Sequence, residues 1–445
     1  MGAISSLSSL TRARGLLLAG AVLALAGCAE PERILVGERE DIWPVEDTVS
    51  GLRVNQSRAI SLPAMKANAD WSQSIGTPSQ RVAHPALRVP VQQLWSVKIG
   101  SGDSRRQRIT AGPVVGGGLI YTLDSAERVS AVTPSGQVVW SHDLIDPPDK
   151  EGQATGGGLA YSGGVLYVSS GYGRLTAMDA KTGAVRWAQR LNATGSGVPT
   201  VHDGLIYLVA GDDTAWAIRT DNGRIAWRFK SAESVANVLG APAPAVSGQF
   251  AVFGFGSGDV VGVFRRGGVR RWSGSVAGQR LGYTSARYGD VTGSPLIVGN
   301  AVYVGNHSGR IAAFRLEDGE RLWTLREGAV TPMFPAGDSL FAISDRNQLM
   351  RIDAASGEVI WAVDLPGFVK DKPKKRGRIY AHYGPVLAGG RIVVASNDGL
   401  IRFFAPQDGA QVAAVEVKGG ATAEPAVAGN TLYVVTTRGE LVAFR

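Results

Sequence analysis

The chain of 445 residues has one cysteine and five histidines, and it lacks the spacings by which such residues usually build a local site. His84, His142, His202, His307 and His382 never stand two or four residues apart, which excludes the compact zinc and metalloprotease motifs. No Gly-x-Ser-x-Gly elbow lies between a strand and a helix, and Asp212-Asp213 is an isolated pair in a turn. The stretch Gly254-Phe255-Gly256-Ser257-Gly258 leads into a strand pattern at Val260 to Phe264 instead of the helix that phosphate cradling requires, so it reads as a hairpin turn. Charge of one sign is scarce too. The formal +8 includes Arg12 and Arg14 of a segment expected to be removed, and what is left is too weak to imply nucleic acid. These patterns predict no catalytic residue, no cofactor and no metal.

Glycine is what the chain has in excess, 59 residues, and the surplus sits in turns. A unit recurs from Val91 to Arg445: a short apolar run, a tight turn, a strand, a second strand, another Gly turn and a strand ending in Trp. The first turns include Gly117-Gly118, Asp203-Gly204, Gly389-Gly390 and Gly429-Asn430, dipeptides that enter positive φ cheaply and therefore make hairpins. The second turns run from Ser135-Gly136 to Asp408-Gly409, and Trp140, Trp187, Trp227, Trp272, Trp323 and Trp361 follow their turns at a fixed distance. The seventh unit has Ala413 there. Trp95 lies in a lone Trp strand, Gln93 to Val97, while the last unit, Pro425 to Phe444, has three strands and no Trp strand. The two fragments complement each other. A four-stranded unit of this period is the mark of a β-propeller. The prediction is an all-β, eight-bladed ring of four-stranded antiparallel blades over 91–445, closed by an N-terminal strand that completes the last blade and removes its open edge. The Trp residues are expected to pack between blades.

Ahead of the ring, Arg12-Ala13-Arg14 is a positive n-region and Leu16 to Ala24 an apolar stretch too short for an ordinary spanning helix. Leu25-Ala26-Gly27-Cys28 then resembles the bacterial lipobox, which implies a leader over 1–27 and acylation of Cys28. Ala29, rather than Asp, after the Cys implies the outer membrane, facing the periplasm. Residues 28–90 read as a lipidated tether, docked in part because Trp43, Ile60, Leu62 and Trp71 are too apolar for a solvated linker. One charge run, Lys370 to Arg378, puts six cations into nine residues of a long connection; lipid headgroups, lipopolysaccharide phosphate, an acidic protein face and plain solvation all fit it.

The pattern small-Pro…Gly-Gly…Tyr…Gly-x-Leu-x-Ala…Thr/Ser-Gly-x-x-x-Trp, best seen at Gly163 to Trp187 and Ser294 to Trp323, resembles the quinoprotein, or PQQ-like, propeller repeat. With the lipobox and eight units, the chain resembles the BamB family of outer-membrane β-barrel assembly lipoproteins. That resemblance implies a non-enzymatic scaffold that binds the POTRA domains of BamA and helps deliver unfolded barrel precursors, its ring monomeric and free of nucleic acid. It implies contact through two connections, here Ser231 to Ala241 and Gln279 to Ser294. Arg287-Tyr288-Gly289-Asp290-Val291 matches the family's Arg-x-x-Asp-Val segment, so Arg287, Asp290 and Val291 carry over, while a second family acid is Thr292 here. In the first connection the family's Leu-x-Leu-Arg becomes Ser234-Val235-Ala236-Asn237; Val235, Val238 and Leu239 are left to supply its apolar part. A quinoprotein dehydrogenase and another periplasmic binding propeller remain as alternatives, the first weakened because such enzymes carry a Cys-Cys pair and a calcium site.

Overall fold

The computed structural model describes residues 55–194, 197–232, 241–278, 280 and 288–445. Those from Asn55 onward form one compact unit, so the ring's packed body begins well before its first repeat.

Eight four-stranded antiparallel sheets follow one another along the chain. Blade one holds β2 (Val114–Gly116), β3 (Leu119–Leu123), β4 (Arg128–Val132) and β5 (Val138–Asp143). Blades two to seven repeat that order, and the eighth is built from both chain ends. There β1 (Gln93–Lys98) pairs antiparallel with β32 (Glu440–Phe444), and Gln92 and Arg445 exchange two backbone hydrogen bonds of 2.8 and 2.9 Å beyond it. The predicted ring and its closure are therefore present. The first strand of each sheet is buried and faces the axis; the fourth, such as β5, alternates exposed and half-buried residues on the outside.

The Trp residues set the spacing between blades. Each lies across the second-turn glycine of the following blade, so that a methyl group there would come within 2.6–2.8 Å of the indole. Each indole N–H donates to a carbonyl of that same turn, from Trp95 to Pro134 (2.9 Å) round to Trp361 to Pro406 (3.2 Å). A register slip directly before the Trp, as between Ala131 and Val132 opposite Trp140, skips one residue and aims the ring sideways. The exception at Ala413 now has a cause. Its partner would be the second turn of blade eight, and that turn does not exist, because the third and fourth strands there are the two ends of the chain.

Residues 55–90 are more than a tether. Arg58 binds Asp338 and Asp353 at 2.5 and 2.7 Å, and the fully buried Arg351 donates to the carbonyls of Arg58 and Ala59. The chain then crosses the inner strands in ring order. Asn68 bonds Val427 and Gly429 in blade eight, Trp71 pairs with Val115 in blade one, and Ser72 accepts from Tyr161 in blade two. Gln73 bridges to Val201, Pro78 accepts from Val246, Ser79 from Ile297, Arg81 reaches Met333, and Pro85 accepts from Gly389. Eighteen residues thus touch all eight blades. The circuit closes on itself where Lys66 accepts from Ala86 and donates to His84. His84 fastens the joint: its Nε2 accepts from the Gly390 N–H (2.9 Å), which puts the ring proton on Nδ1, facing the Pro63 carbonyl.

This belt lies at the end of the ring that carries the first and second turns. An antiparallel meander places the strand ends that lead from blade to blade at the opposite end, so the feet of the two long connections and the basic run share the face away from the belt.

The blade spacing is testable. Gly409 has φ +76° and Trp361 is fully buried against it. Trp361→Ala should cost about 3–5 kcal/mol. Gly409→Ala should cost about 1–3 kcal/mol through both strain and contact. Denaturant titration followed by tryptophan emission measures both; losses below about 0.5 kcal/mol would contradict the wedge role.

Candidate partner-binding face and the ring axis

The belt sends one charge up the axis. Arg81, with no exposed side chain, donates to the Pro332 carbonyl (2.9 Å) and to Glu424 (3.2 Å), and Glu424 also accepts from the Gly384 N–H (3.0 Å). The pair joins blades six, seven and eight to the belt. Burial pulls the Arg81 pKa down and pushes that of Glu424 up, each opposed by its partner's charge. Neither group would be tolerated here without the other.

The feet of the two long connections meet. Ala243, just after the first, donates its N–H to the Ser294 hydroxyl, just inside the second (3.1 Å). The second connection starts from a buried ion network. Arg280 binds Asp345 (3.0 Å) and Glu327 (2.8 Å), and Glu327 also binds Arg346 (2.5 Å). At its other end Val291 opens β18 (Val291–Val298), bonds the Phe255 carbonyl and packs over Gly254. Asp290 and Val291 are 3% and 2% exposed, so they serve the foot of the loop and present no surface. Tyr288, 47% exposed, is the neighbouring side chain that faces solvent. The other expected contact residues, Arg287, Val235, Val238 and Leu239, lie outside the described residues, as does Cys28. Sequence reasoning missed Arg280 and the belt's Arg81. The signal for the first was an Arg at the start of a connection with two acids waiting on the neighbouring blade.

A profile described as outer membrane protein assembly factor BamB matches residues 125–363, more than half of the chain. The chain belongs to the BamB family. A relative of that name from Moranella endobia is 24% identical over 361 residues, which cover 79% of this chain and 89% of that protein. A crystal structure of BamB from Moraxella catarrhalis superposes with a TM-score of 0.65 at 19% identity, over 80% of this chain and 99% of that one. A quinohemoprotein alcohol dehydrogenase from Comamonas testosteroni reaches 0.60 at 14% identity, a likeness of fold. The described residues form no acidic cluster of the kind that would hold the calcium of such enzymes. Calcium needs six or more oxygen ligands. Among the described residues no three His, Cys, Asp or Glu side chains converge, and the inner-strand ends hold Arg81 bound to Glu424.

Two expectations concern charge. Arg81→Met alone should destabilise by about 3–5 kcal/mol, and adding Glu424→Leu should restore most of it, because the cost comes from the stranded partner; a double variant no more stable than the single one would refute this in a melting series. Glu127, 1% exposed, has its pKa raised from 4.5 to about 8, by burial first and by Asp124 second, against the help of the Gly171 N–H. The folded state therefore prefers the protonated form. Its contribution is intact below pH 4.5 and drains as pH rises towards 8. Glu127→Gln should match the parent at pH 4.5 and exceed it at pH 8 by on the order of a few kcal/mol, and parallel stability curves across that range would count against it.

Proposed function

We propose that this chain is a non-enzymatic scaffold of the machinery that assembles β-barrels in the outer membrane. It is anchored there through acyl chains on Cys28 and faces the periplasm, with residues 1–27 as the leader and 28–90 as a tether whose part from Asn55 onward packs on the ring. Its partner is the POTRA region of BamA, and the contact is the paired connections 231–241 and 279–294. The observation that supports the reading is the hydrogen bond from Ala243 to Ser294, which joins the feet of the two connections named by family resemblance. Arg287 and Tyr288 supply the cation and aromatic typical of interface hot spots, and Val235, Val238 and Leu239 the apolar flank. Arg280, held by Glu327 and Asp345, acts as a positioning residue for that loop. Unfolded barrel precursors are served by the outer strands, which keep one free edge and expose Leu94, Val138, Val139 and Ile225 between 41 and 51%. An incoming strand adds there by main-chain pairing.

Because Asp290 is buried, reversing its charge would test folding more than contact. Arg287→Glu combined with Tyr288→Asp, the latter at an exposed position, tests the contact instead. Co-purification of BamA from solubilised envelopes should fall at least about tenfold, with an unchanged circular dichroism spectrum and melting temperature, as loss of one hot spot predicts. Full retention of BamA by the folded double variant would remove this loop from the contact.

A further inference from the structure

The connection that follows β25 (Val359–Asp364) folds into a hairpin of its own. Phe368 and Ile379 form a bridge, Val369 donates to the Arg378 carbonyl and Tyr380 to that of Gly367, and a 3-10 turn, Pro373–Lys375, caps it. The single acid, Asp371, is spent internally: Arg376 binds its carboxylate at 2.8 Å and lies over the Phe368 ring at 4.9 Å. Lys370, Lys372, Lys374, Lys375 and Arg378 are exposed, and none has a carboxylate partner among the described residues. Five uncompensated cations thus stand together. Phe368 and Ile379, opposite one another and so on one face of the hairpin, are 41% and 59% exposed.

We infer that this hairpin docks on an anionic phospholipid surface, with the lysines at the headgroups and Phe368 and Ile379 at the boundary with the acyl chains. Clustered cations beside exposed apolar side chains are what such a surface recognises. An acidic protein face would be met equally well by the cations, but it gives no role to an exposed Phe and Ile at the base. The course of the chain supports the same occupant. Gln56 donates to the Ile360 carbonyl and Asn55 exchanges two bonds with Ala362, so, traced back from Arg58, the chain climbs β25 towards the strand end from which the hairpin springs. The twenty-six residues from Ala29 to Val54 separate that point from Cys28. Extended, they reach about 95 Å at most. Asn55 and the base of the hairpin therefore lie along the same strand, β25. The inference does not rest on any contact with BamA.

The test uses the full chain with Cys28→Ser, which cannot be acylated. Its partition is measured on vesicles of phosphatidylcholine alone and with about one-third phosphatidylglycerol. Neutral vesicles report any binding by the apolar leader. The anionic lipid should raise the partition on the order of 100-fold, and 0.5 M salt, roughly, should abolish the gain. Lys370→Glu, Lys372→Glu, Lys374→Glu and Lys375→Glu together should bring it to the neutral-vesicle value, and Phe368→Ser should lower it several-fold. Should the glutamate set alter melting, the matching glutamine set replaces it and should remove most of the gain. Retention of the full gain by the folded charge variants would overturn the inference. So would an unchanged partition accompanied by loss of an envelope crosslink to an acidic protein, which would make the hairpin a protein-docking element.

Discussion

A ring of sheets is stable only if its last sheet meets its first, and in this chain that junction is made of main-chain hydrogen bonds between β1 and β32. Every other interface inherits its geometry from that closure. With the circle complete, blades one to seven each offer a second turn to the Trp behind it, and seven indoles fill seven wedges. The eighth wedge has no turn to fill, and it is closed instead by the strand joint and by Ala413, a residue small enough for a sheet without that turn. One covalent fact, that the chain has two ends, thus explains both the missing Trp and the stray one.

The belt adds a second closure, perpendicular in logic to the first. Each blade is held to its neighbours by side-chain packing, but all eight are held to one segment by hydrogen bonds, most of them from main chain to main chain. Such bonds use N–H and C=O groups on the open edge of the inner strands, which the sheet itself leaves unpaired. Arg351 and the Arg81–Glu424 pair are the charges this costs: each is buried because it serves a segment that has no strand of its own. The belt thus occupies the end of the ring opposite the hydrogen-bonded feet of the two long connections.

Nearly all of the ring was legible in the sequence, because hairpin dipeptides and a Trp at fixed distance are local signals repeated many times. Trp71 and Leu62 pointed to docking of the segment before the ring, yet nothing in residues 55–90 announced a circuit. Its contacts are chiefly backbone groups, which leave no composition behind; Arg351, buried among Leu349, Met350 and Ile352, is a side chain that could have pointed to it. The candidate site was legible only as loops. Family resemblance located the two connections, but Asp290 and Val291 proved to be foot residues, since a strand that starts at Val291 must bury its first side chain against the sheet beside it. A motif read from sequence does not say which of its members faces water.

The belt and β1 also impose an order in time. Both occupy the front of the sequence, but neither has a surface to bind until inner strands from Val115 to Val427 and the terminal strand at Phe444 are in place. What is synthesised first must settle last. About forty residues, with Trp71 and Ile75 among them, stay exposed while seven blades form, a span of high contact order that folds slowly and offers unpaired strand to any neighbour meanwhile. The front of the chain is thereby the part whose docking carries the longest loop closures in the molecule's described contacts.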